Sequence, residues 1–324
     1  MQDNPPQVPA RHQAWSEYWA SGTLHSCATS YGGNYAGAIG GFWADALGRL
    51  PPGARVLDLA TGNGAIPALL WRLHGAAVQV DAVDLAALAP RWLAPEHQAS
   101  IRFHAGVDIE ALPFGDASFA CVTSQFGFEY AGRAAALAEA VRVAGTDGWI
   151  HLVMHHHRSR LVEVGREELR HHQWLCSEDG LLAAARGVVP VLAAVRGGCA
   201  PDAVALQTRE RYNRALARIA GEAAASPAPD LLLEAREAVH GLVAAVGPDP
   251  CPVLDQLDRL AGEWARARLR SAEMVECALD RAQLEALANT LRQARPHWDV
   301  ALAELAQAEG VLAWALSAGP STPG

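Results

Sequence analysis

The sequence predicts an α/β fold in which helices cover both faces of a mostly parallel sheet. Over residues 55–154, apolar segments of about five residues alternate with helical segments of about ten, which is typical of a doubly wound parallel sheet. From residue 160 to residue 279 the periodicity is almost entirely helical, and two short apolar segments follow near the end of the chain. The pattern therefore also predicts a large helical insertion after the fifth strand.

The individual elements follow from this alternation, taken in chain order. Two helices are expected before the sheet, at Arg11–Ala20 and through Phe42–Leu47. The five alternating strands are expected at Arg55–Ala60, Val78–Val83, Ile101–Ala105, Ser118–Ser124 and Trp149–Met154. The helices between these strands are expected at Ala65–His74, Ala86–Leu93 and Arg133–Val143. The chain is expected to close with a helix that starts at Asp280 and with two strands, at Trp298–Leu305 and Val311–Ser317.

The composition narrows the classes of partner. The formal net charge is −9 and the pI is near 5.8, which argues against a nucleic-acid partner because phosphate binding needs a basic face. The six cysteines contain no C-x-x-C pair and residues 1–13 show no apolar h-region, so reduced thiols and a cytoplasmic location are expected. No uncharged apolar run reaches the roughly 18 residues that a membrane span needs, so no membrane partner is expected.

The stretch Val56–Gly64, V-L-D-L-A-T-G-N-G, joins the first strand of the sheet to the turn before the next helix. Gly62 and Gly64 allow the backbone to turn sharply and to approach a ligand closely. The following helix offers unpaired N–H groups at its N-terminus, and Pro67 is tolerated only in its first turn. Because nucleotides bind at the carboxyl end of the first strand in open α/β sheets, this turn is a candidate nucleotide site.

Two features narrow the kind of nucleotide. Pro67 stands where the dinucleotide fingerprint G-x-G-x-x-G has its last glycine or alanine, which disfavours NAD. Asp84 follows Gly64 by about 20 residues, at the end of the second strand, where a carboxylate can accept hydrogen bonds from both ribose hydroxyls. Asp81 is the alternative, three residues earlier and on the opposite face of the strand. A nucleoside without a pyrophosphate fits these residues better than NAD does.

The same residues resemble class I S-adenosylmethionine-dependent methyltransferases, whose first motif has an acidic residue followed by alternating glycines. Asp58 occupies the acidic position. Gly62 and Gly64 match the second and third glycines, whereas Ala60 stands where the family often has its first glycine. The segment Val107–Phe114 is similar to the one that leads into strand four in this family.

The resemblance covers roughly residues 50–155 and 280–318. It implies a Rossmann-like, seven-stranded, mostly parallel sheet with a final antiparallel hairpin. It also implies that the cofactor is S-adenosyl-L-methionine, with S-adenosyl-L-homocysteine as the product, that Asp108 meets the adenine amino group and that Ile109 packs on the ring. The cofactor-binding residues expected on this basis are Asp58, Ala60, Gly62, Gly64, Asp84, Leu85, Asp108, Ile109 and Gln125.

Three regions are expected in the chain. Residues 1–50 are expected to form an N-terminal lid of helix and loop. Residues 51–157 together with residues 280–318 are expected to form the domain that binds the cofactor. Residues 158–279 are expected to form the helical insert and to act as a cap over the substrate.

Candidates for catalysis follow the fourth and fifth strands. His155, His156 and Glu129 are the candidates for a base or for a group that orients the acceptor. Three consecutive histidines, at residues 155–157, cannot all face one point, so no metal site is expected. The residues expected to bind the substrate are Tyr31, Tyr35, Tyr130 and Arg158.

The expected activity is methyl transfer to a small molecule or a peptide, on the oxygen of a hydroxyl or a carboxylate. Oxygen is favoured because Ser124–Phe128 occupies the place of the Asn/Asp-Pro-Pro-Tyr/Phe motif that resembling N-methyltransferases carry after strand four. The alternative is a nucleoside-cofactor-binding protein that has lost catalysis and works as an assembly or regulatory module. The sequence leaves open the identity of the acceptor and whether the protein is a homodimer.

Overall fold

The computed structural model describes residues 8–26, 36–308 and 310–320. The chain divides into two compact units. The first unit comprises the described residues up to Val162 and from Glu273 onward, and it contains the sheet. The second unit comprises Glu163–Ala272 and is helical.

The sheet of the first unit has seven strands in the order β3-β2-β1-β4-β5-β7-β6. Its strands are β1 (Arg55–Leu59), β2 (Gln79–Asp84), β3 (Ile101–Ala105), β4 (Phe119–Gln125), β5 (Ala144–His155), β6 (Trp298–Gln307) and β7 (Gly310–Pro320). Strands β1 to β5 pair in parallel, and β7 pairs antiparallel with both β5 and β6. The predicted fold, a mostly parallel seven-stranded sheet with a final antiparallel hairpin and a helical insertion, is therefore confirmed.

The helices are α1 (Val8–Ala20), α2 (Gly37–Leu47), α3 (Ala65–His74), α4 (Arg133–Val143), α5 (Arg160–Leu175), α6 (Leu181–Arg196), α7 (Ala203–Ala225), α8 (Asp230–Ala244), α9 (Cys251–Cys277) and α10 (Arg281–Ala294). In the first unit, α3 joins β1 to β2 and α4 joins β4 to β5, whereas in the second unit the helices follow one another. Asp280 starts α10 as predicted, since it forms a capping box with Gln283. Within the described ranges, no helix is long and apolar enough to cross a membrane.

The helix predicted at Ala86–Leu93 is wrong, because the chain forms turns there. Pro90 ends a helical pattern, since it has no N–H and disfavours helical backbone at the residue before it. The backbone N–H groups of this segment also donate to distant side chains instead of to carbonyls one turn earlier. Ala87 donates to Ser16 Oγ at 3.0 Å and Ala89 donates to Asn63 Oδ1 at 2.8 Å.

The core of the first unit lies on both faces of the sheet, because alternate residues of a strand point to opposite faces. Leu57 and Leu59 of β1 belong to the cluster that includes α4 and α10. Val56, which precedes Leu57 and points to the other face, belongs to the cluster that includes α2 and α3. The second unit has its own apolar core, formed mainly by α6, α7, α8 and α9. Because β1 lies inside the sheet, between β2 and β4, its carboxyl end is in the middle of the edge that the carboxyl ends of the parallel strands form.

Candidate ligand-binding cleft

A cleft opens at the carboxyl ends of β1, β2 and β4. The strand order reverses between β1 and β4, and in open α/β sheets this reversal is where ligands bind. The cleft has two adjoining lobes of about 540 Å³ and about 950 Å³, called here the small lobe and the large lobe. The two lobes share four lining residues, Trp15, Trp19, Ala60 and Phe126.

The predicted cofactor residues divide between these lobes. Asp58, Gly62 and Gln125 line the small lobe. Asp84, Leu85, Asp108 and Ile109 line the large lobe, and Ala60 lines both. Gly64 lines neither lobe. The structure thus brings eight of the nine predicted residues to one cleft, from the ends of β1, β2 and β4 and from the loops after β1, β2 and β3.

The glycine turn needs its small residues for a reason that the sequence did not show. Gly62 and Gly64 both have left-handed backbone, with φ of +54° and +84°. A Cβ on Gly62 would lie 2.5 Å from the Trp19 ring, and a Cβ on Gly64 would lie 2.5 Å from the Phe103 ring. The space over each glycine is therefore taken by an aromatic side chain of the protein. Ala60 also has left-handed backbone, with φ of +50°. This conformation is strained for a residue with a Cβ, whereas the glycine that the resembling family often has at this position would adopt it without strain.

Asp58 is a buried carboxylate at the end of β1. Its Oδ2 accepts a hydrogen bond from the Thr61 hydroxyl at 2.6 Å, and its Oδ1 accepts one from the Thr123 hydroxyl at 2.7 Å. Burial raises the pKa of Asp58 from 3.8 to about 7, although these two hydroxyl groups act in the opposite direction. A cationic group bound in the small lobe would favour the ionised carboxylate.

Asp84 is the last residue of β2 and faces the large lobe. Its two carboxylate oxygens accept hydrogen bonds from the backbone N–H groups of Gly62 and Ala86, each at 2.8 Å. Burial raises the pKa of Asp84 in spite of these bonds. The alternative residue, Asp81, instead pairs with Arg55 and His104 at 2.9 Å and lines neither lobe.

Helix α1 covers the cleft with two indole rings. Trp15 and Trp19 are stacked with ring centroids 6.0 Å apart. Trp15 Nε1 donates to Glu273 Oε2 at 3.2 Å, and Arg11 forms an ion pair with Glu273 Oε1 at 2.9 Å. Burial raises the pKa of Glu273, although Arg11 acts in the opposite direction. These contacts attach α1 to the last turns of α9.

Asn63 was missed by the sequence prediction, although it stands between the two glycines of the motif. Its Nδ2 donates to the carbonyl groups of Trp19 and Thr23 at 2.9 and 2.8 Å, and its Oδ1 accepts from the Ala89 N–H. Its own carbonyl accepts from Trp92 Nε1 at 2.6 Å. Asn63 is fully buried and joins α1, the glycine turn and the loop after β2.

Replacement of Asn63 by Asp should destabilise the first unit and weaken ligand binding. The two shapes match, but a carboxylate cannot donate to the carbonyl groups of Trp19 and Thr23. The expected loss in the free energy of unfolding is about 3–5 kcal/mol, because an unpaired charge would be buried. Thermal unfolding and calorimetric titration with S-adenosylhomocysteine measure the two effects. Asn289→Asp, the same change on the exposed surface of α10, is the control, and an equal Tm shift in both variants would contradict the prediction.

Glu129 and His155 form a buried pair beside the cleft. Glu129 Oε1 accepts a hydrogen bond from the backbone N–H of His155 at 2.7 Å and lies 2.6 Å from its Nδ1. A carboxylate only accepts, so Nδ1 carries the ring proton and Nε2 is the basic nitrogen of the neutral imidazole. The His155 ring lies 4.5 Å from the Phe126 ring, which lines both lobes. The carboxylate thus fixes the tautomer and the orientation of a buried imidazole that lies next to the cleft.

Of the remaining candidates, His156 and Arg158 line neither lobe, whereas Tyr130 does. His156 is 3.2 Å from Glu304 of β6 and packs on Trp314, and exposed Arg158 also approaches Glu304, at 4.0 Å. The alternation of β5 thus directs His155 and His156 to opposite faces of the sheet. Tyr130 lines the large lobe, as expected of a residue that contacts a ligand. Tyr31 and Tyr35 lie outside the described residues.

No metal site is found among the described residues, where no group of three or more His, Cys, Asp or Glu side chains could hold an ion. The donors of the cleft are instead single carboxylates, spread over both lobes and separated by apolar and aromatic side chains. Such a set suits an organic ligand with several separate polar groups. The fold and the cleft are together those of an α/β protein whose cleft suits a nucleoside-like ligand.

Comparisons with known proteins specify the class further. Residues 56–148 match the family model of a methyltransferase domain. No curated protein sequence matches the chain. Residues 56–148 are therefore similar to a methyltransferase domain, and they lie in the mostly parallel seven-stranded sheet with a final antiparallel hairpin that the resemblance to class I S-adenosylmethionine-dependent methyltransferases implied.

Solved structures with partial similarity include three methyltransferases. Geranyl diphosphate C-methyltransferase from Streptomyces coelicolor is 18% identical over 47% of this chain and 52% of its own, with a TM-score of 0.33. An arsenic(III) S-adenosylmethionine methyltransferase from Chlamydomonas reinhardtii is 28% identical over 33% and 41%, with a TM-score of 0.28. An S-adenosylmethionine-dependent methyltransferase from Aquifex aeolicus is 20% identical over 35% and 62%, with a TM-score of 0.28. This chain matches less than two thirds of the length of each of them.

Proposed function

We propose that the protein transfers the methyl group of S-adenosylmethionine to an oxygen atom, of a hydroxyl or a carboxylate, on a small molecule or a peptide. The methyltransferase domain and the cleft support the donor. The buried Glu129–His155 pair supports oxygen of a hydroxyl as the first choice of acceptor, because a neutral hydroxyl must lose a proton on methylation. The assignment of residues 158–279 as a substrate cap stays a proposal that rests on their place in the chain, directly after β5.

The residues of the cleft fit the donor by their chemistry. In the large lobe, Asp84 can accept hydrogen bonds from ribose hydroxyls, and Leu85 and Ile109 offer apolar surface for a planar base beside Asp108. In the small lobe, Asp58 can face the ammonium group of the amino-acid part. When bound, the sulfonium group of S-adenosylmethionine supplies an already activated methyl group. The work left to the protein is to orient the acceptor and to exclude water.

The Glu129–His155 pair is the single observation that carries the choice of a hydroxyl. Glu129 holds the proton of His155 on Nδ1, so that Nε2 can take the proton of an acceptor. The carboxylate also stabilises the imidazolium that results. A carboxylate acceptor needs no base, and Arg158, which was expected to orient it, contacts Glu304 instead of lining the cleft.

The direct test is incubation of the full chain with methyl-labelled S-adenosylmethionine and acceptors that carry a phenol, an alcohol, a carboxylate, an amine or a thiol. We expect label on hydroxyl oxygen, in an ether that withstands mild alkali, whereas a methyl ester would release methanol. Label on nitrogen alone would contradict the proposal. Calorimetry with S-adenosylhomocysteine and NAD accompanies the assay: binding of NAD without binding of S-adenosylhomocysteine would overturn the choice of donor, and binding without transfer to any acceptor would favour a protein that has lost catalysis.

A further inference from the structure

The junction of the two lobes is lined by aromatic rings. Of the four residues that line both lobes, Trp15, Trp19 and Phe126 are aromatic and the fourth is Ala60. Carboxylates lie farther out, since Asp58 lines only the small lobe and Asp84 lines only the large lobe. A ligand that occupies both lobes must therefore pass between π surfaces where the lobes meet.

The indole rings at this junction are held by contacts on several sides. Trp15 is anchored through Nε1 to Glu273 and stacks on Trp19 with an angle of 22° between the planes. Trp19 packs over Gly62, which has no Cβ to displace it, and its carbonyl accepts from Asn63 Nδ2. The two rings are therefore positioned before any ligand binds.

The third ring is held by strained backbone. Phe126 has a φ of +54°, which a side chain other than glycine rarely adopts, and its N–H donates to the Val153 carbonyl at 2.7 Å. Its neighbour across the junction, Ala60, is left-handed as well. A Cβ on Gly127 would lie 2.5 Å from the Cβ of Ala60, so the two turns are in direct contact. Strain of this kind persists where it positions a group for function.

We infer that Trp15, Trp19 and Phe126 form an aromatic box that binds the sulfonium cation of S-adenosylmethionine through the faces of its rings. The inference rests on the proposed function. The sulfonium atom joins the adenosyl group to the amino-acid chain, so it lies at the junction when these parts occupy the large and small lobes. A desolvated cation over an aromatic face is attracted by the quadrupole of the ring.

The box gives the protein a means to distinguish its donor from its product. S-adenosylhomocysteine has the same adenosyl, carboxylate and ammonium groups, but its sulfur is a neutral thioether. The carboxylates of the two lobes therefore attract the donor and the product through the same ammonium and hydroxyl groups. The groups nearest the sulfur respond most strongly to the difference in charge, and the residues common to both lobes supply aromatic rings there. Loss of the cation on methyl transfer weakens this attraction and favours release of the product.

The test compares dissociation constants for S-adenosylmethionine and S-adenosylhomocysteine, measured by calorimetry with the full chain in the absence of an acceptor. The preference for the donor is the dissociation constant of S-adenosylhomocysteine divided by that of S-adenosylmethionine. In Trp15→Leu, Trp19→Leu and Phe126→Leu we expect this ratio to fall by about 2- to 30-fold relative to wild type. Trp15→Phe and Trp19→Phe keep a π face and should retain most of the preference. Trp71→Leu removes a half-buried indole that lines neither lobe, and it should leave the preference unchanged.

A purely structural role for the box predicts a different result. Both affinities would then fall by the same factor, the preference would be unchanged, and the inference would be overturned. If wild type binds neither compound, the proposed function fails instead. Should a leucine variant not fold, incorporation of fluorinated tryptophan provides the same test at nearly constant shape, because fluorine weakens the ring quadrupole. A preference that does not decline with fluorine content contradicts the inference.

Discussion

Replacement of His155 by Gln should lower the rate of methyl transfer to a hydroxyl acceptor by about 10²- to 10⁴-fold, the usual contribution of a general base. The affinity for S-adenosylhomocysteine should change little, because His155 lines neither lobe. Single-turnover rates and calorimetric titration separate the two quantities. The effect should therefore appear in kcat and not in the binding of the cofactor product.

Glu129→Gln should give an intermediate loss. The amide oxygen can still accept from Nδ1 and from the backbone N–H of His155, so the ring keeps its orientation. The negative charge that stabilises the imidazolium is lost, which lowers the rate without removing the base. A graded order, with wild type fastest, Glu129→Gln intermediate and His155→Gln slowest, is the expected outcome.

Stability has to be separated from catalysis in these variants. His155→Gln removes the ring N–H that donates to the buried Glu129 carboxylate, and the loss of one hydrogen bond to a buried charged group can cost about 1.5–3 kcal/mol. The double variant removes that charge and should recover part of the lost stability while its activity stays low. His156→Gln is the matched control, since His156 is equally buried but faces Glu304 and Trp314. Full transfer activity in folded His155→Gln would show that the acceptor needs no base, as for a carboxylate.

The second large effect is expected at Asp58, where function and stability should change in opposite directions. Burial raises the pKa of the Asp58 carboxyl to about 7 in the folded protein, while in the unfolded chain it ionises near 3.8. Between these values the folded protein binds one proton more than the unfolded chain does. The corresponding stabilisation is complete below about pH 4 and is lost as the pH rises through 7.

Asp58→Asn should therefore become more stable relative to wild type as the pH is raised from 5 to 8. Over this range the change is about 3 kcal/mol at most, because about two pH units separate pH 5 from the folded pKa of about 7 and each unit is worth about 1.4 kcal/mol. Chemical unfolding of both proteins at several pH values measures the difference. A constant difference across this range would contradict the raised pKa.

The same variant should bind S-adenosylhomocysteine about 10- to 100-fold more weakly at pH 8, because it lacks the charge that faces the ammonium group. In wild type the affinity should fall as the pH drops below 7, by up to about tenfold per pH unit, since binding requires the ionised carboxylate. The Asn variant should not show this dependence. Asp81→Asn, in a carboxylate that pairs with Arg55 and His104 outside the cleft, should lose stability but keep the dependence.

Much of the fold was predictable because it depends on local patterns. Strand and helix periodicity in residues 55–154 and 280–320 predicted all seven strands, and Asp280 marked the start of α10. The helix predicted at residues 86–93 does not form, although the apolar pattern of this segment is compatible with a helix. The side chains of Ser16 and Asn63 accept hydrogen bonds from its backbone N–H groups instead. Neither partner is near the segment in sequence, so no local pattern could reveal them.

The site was predictable to the extent that its residues follow strand ends. Asp58, Asp84 and Gln125 are adjacent in space because parallel strands place their carboxyl ends at one edge. The role of Asn63 was not predictable, because its partners are contributed by α1 and by the loop after β2. The Gly-x-Gly spacing indicated a function for Gly62 and Gly64. Only the hydrogen bonds of the structure show what Asn63, the residue between them, does.

The sequence by itself determined the class of fold, the position of the glycine turn and the carboxylates that suit a nucleoside-like donor, because each depends on residue type at a fixed place in a strand or turn. Only the tertiary structure decided that His155 pairs with Glu129 while His156 faces the opposite side, and that Trp15 and Trp19 cover the cleft. The physical reason is the same in both cases. Burial, hydrogen bonding and ring stacking between segments far apart in the chain set the direction of a side chain, and a linear pattern does not encode that direction.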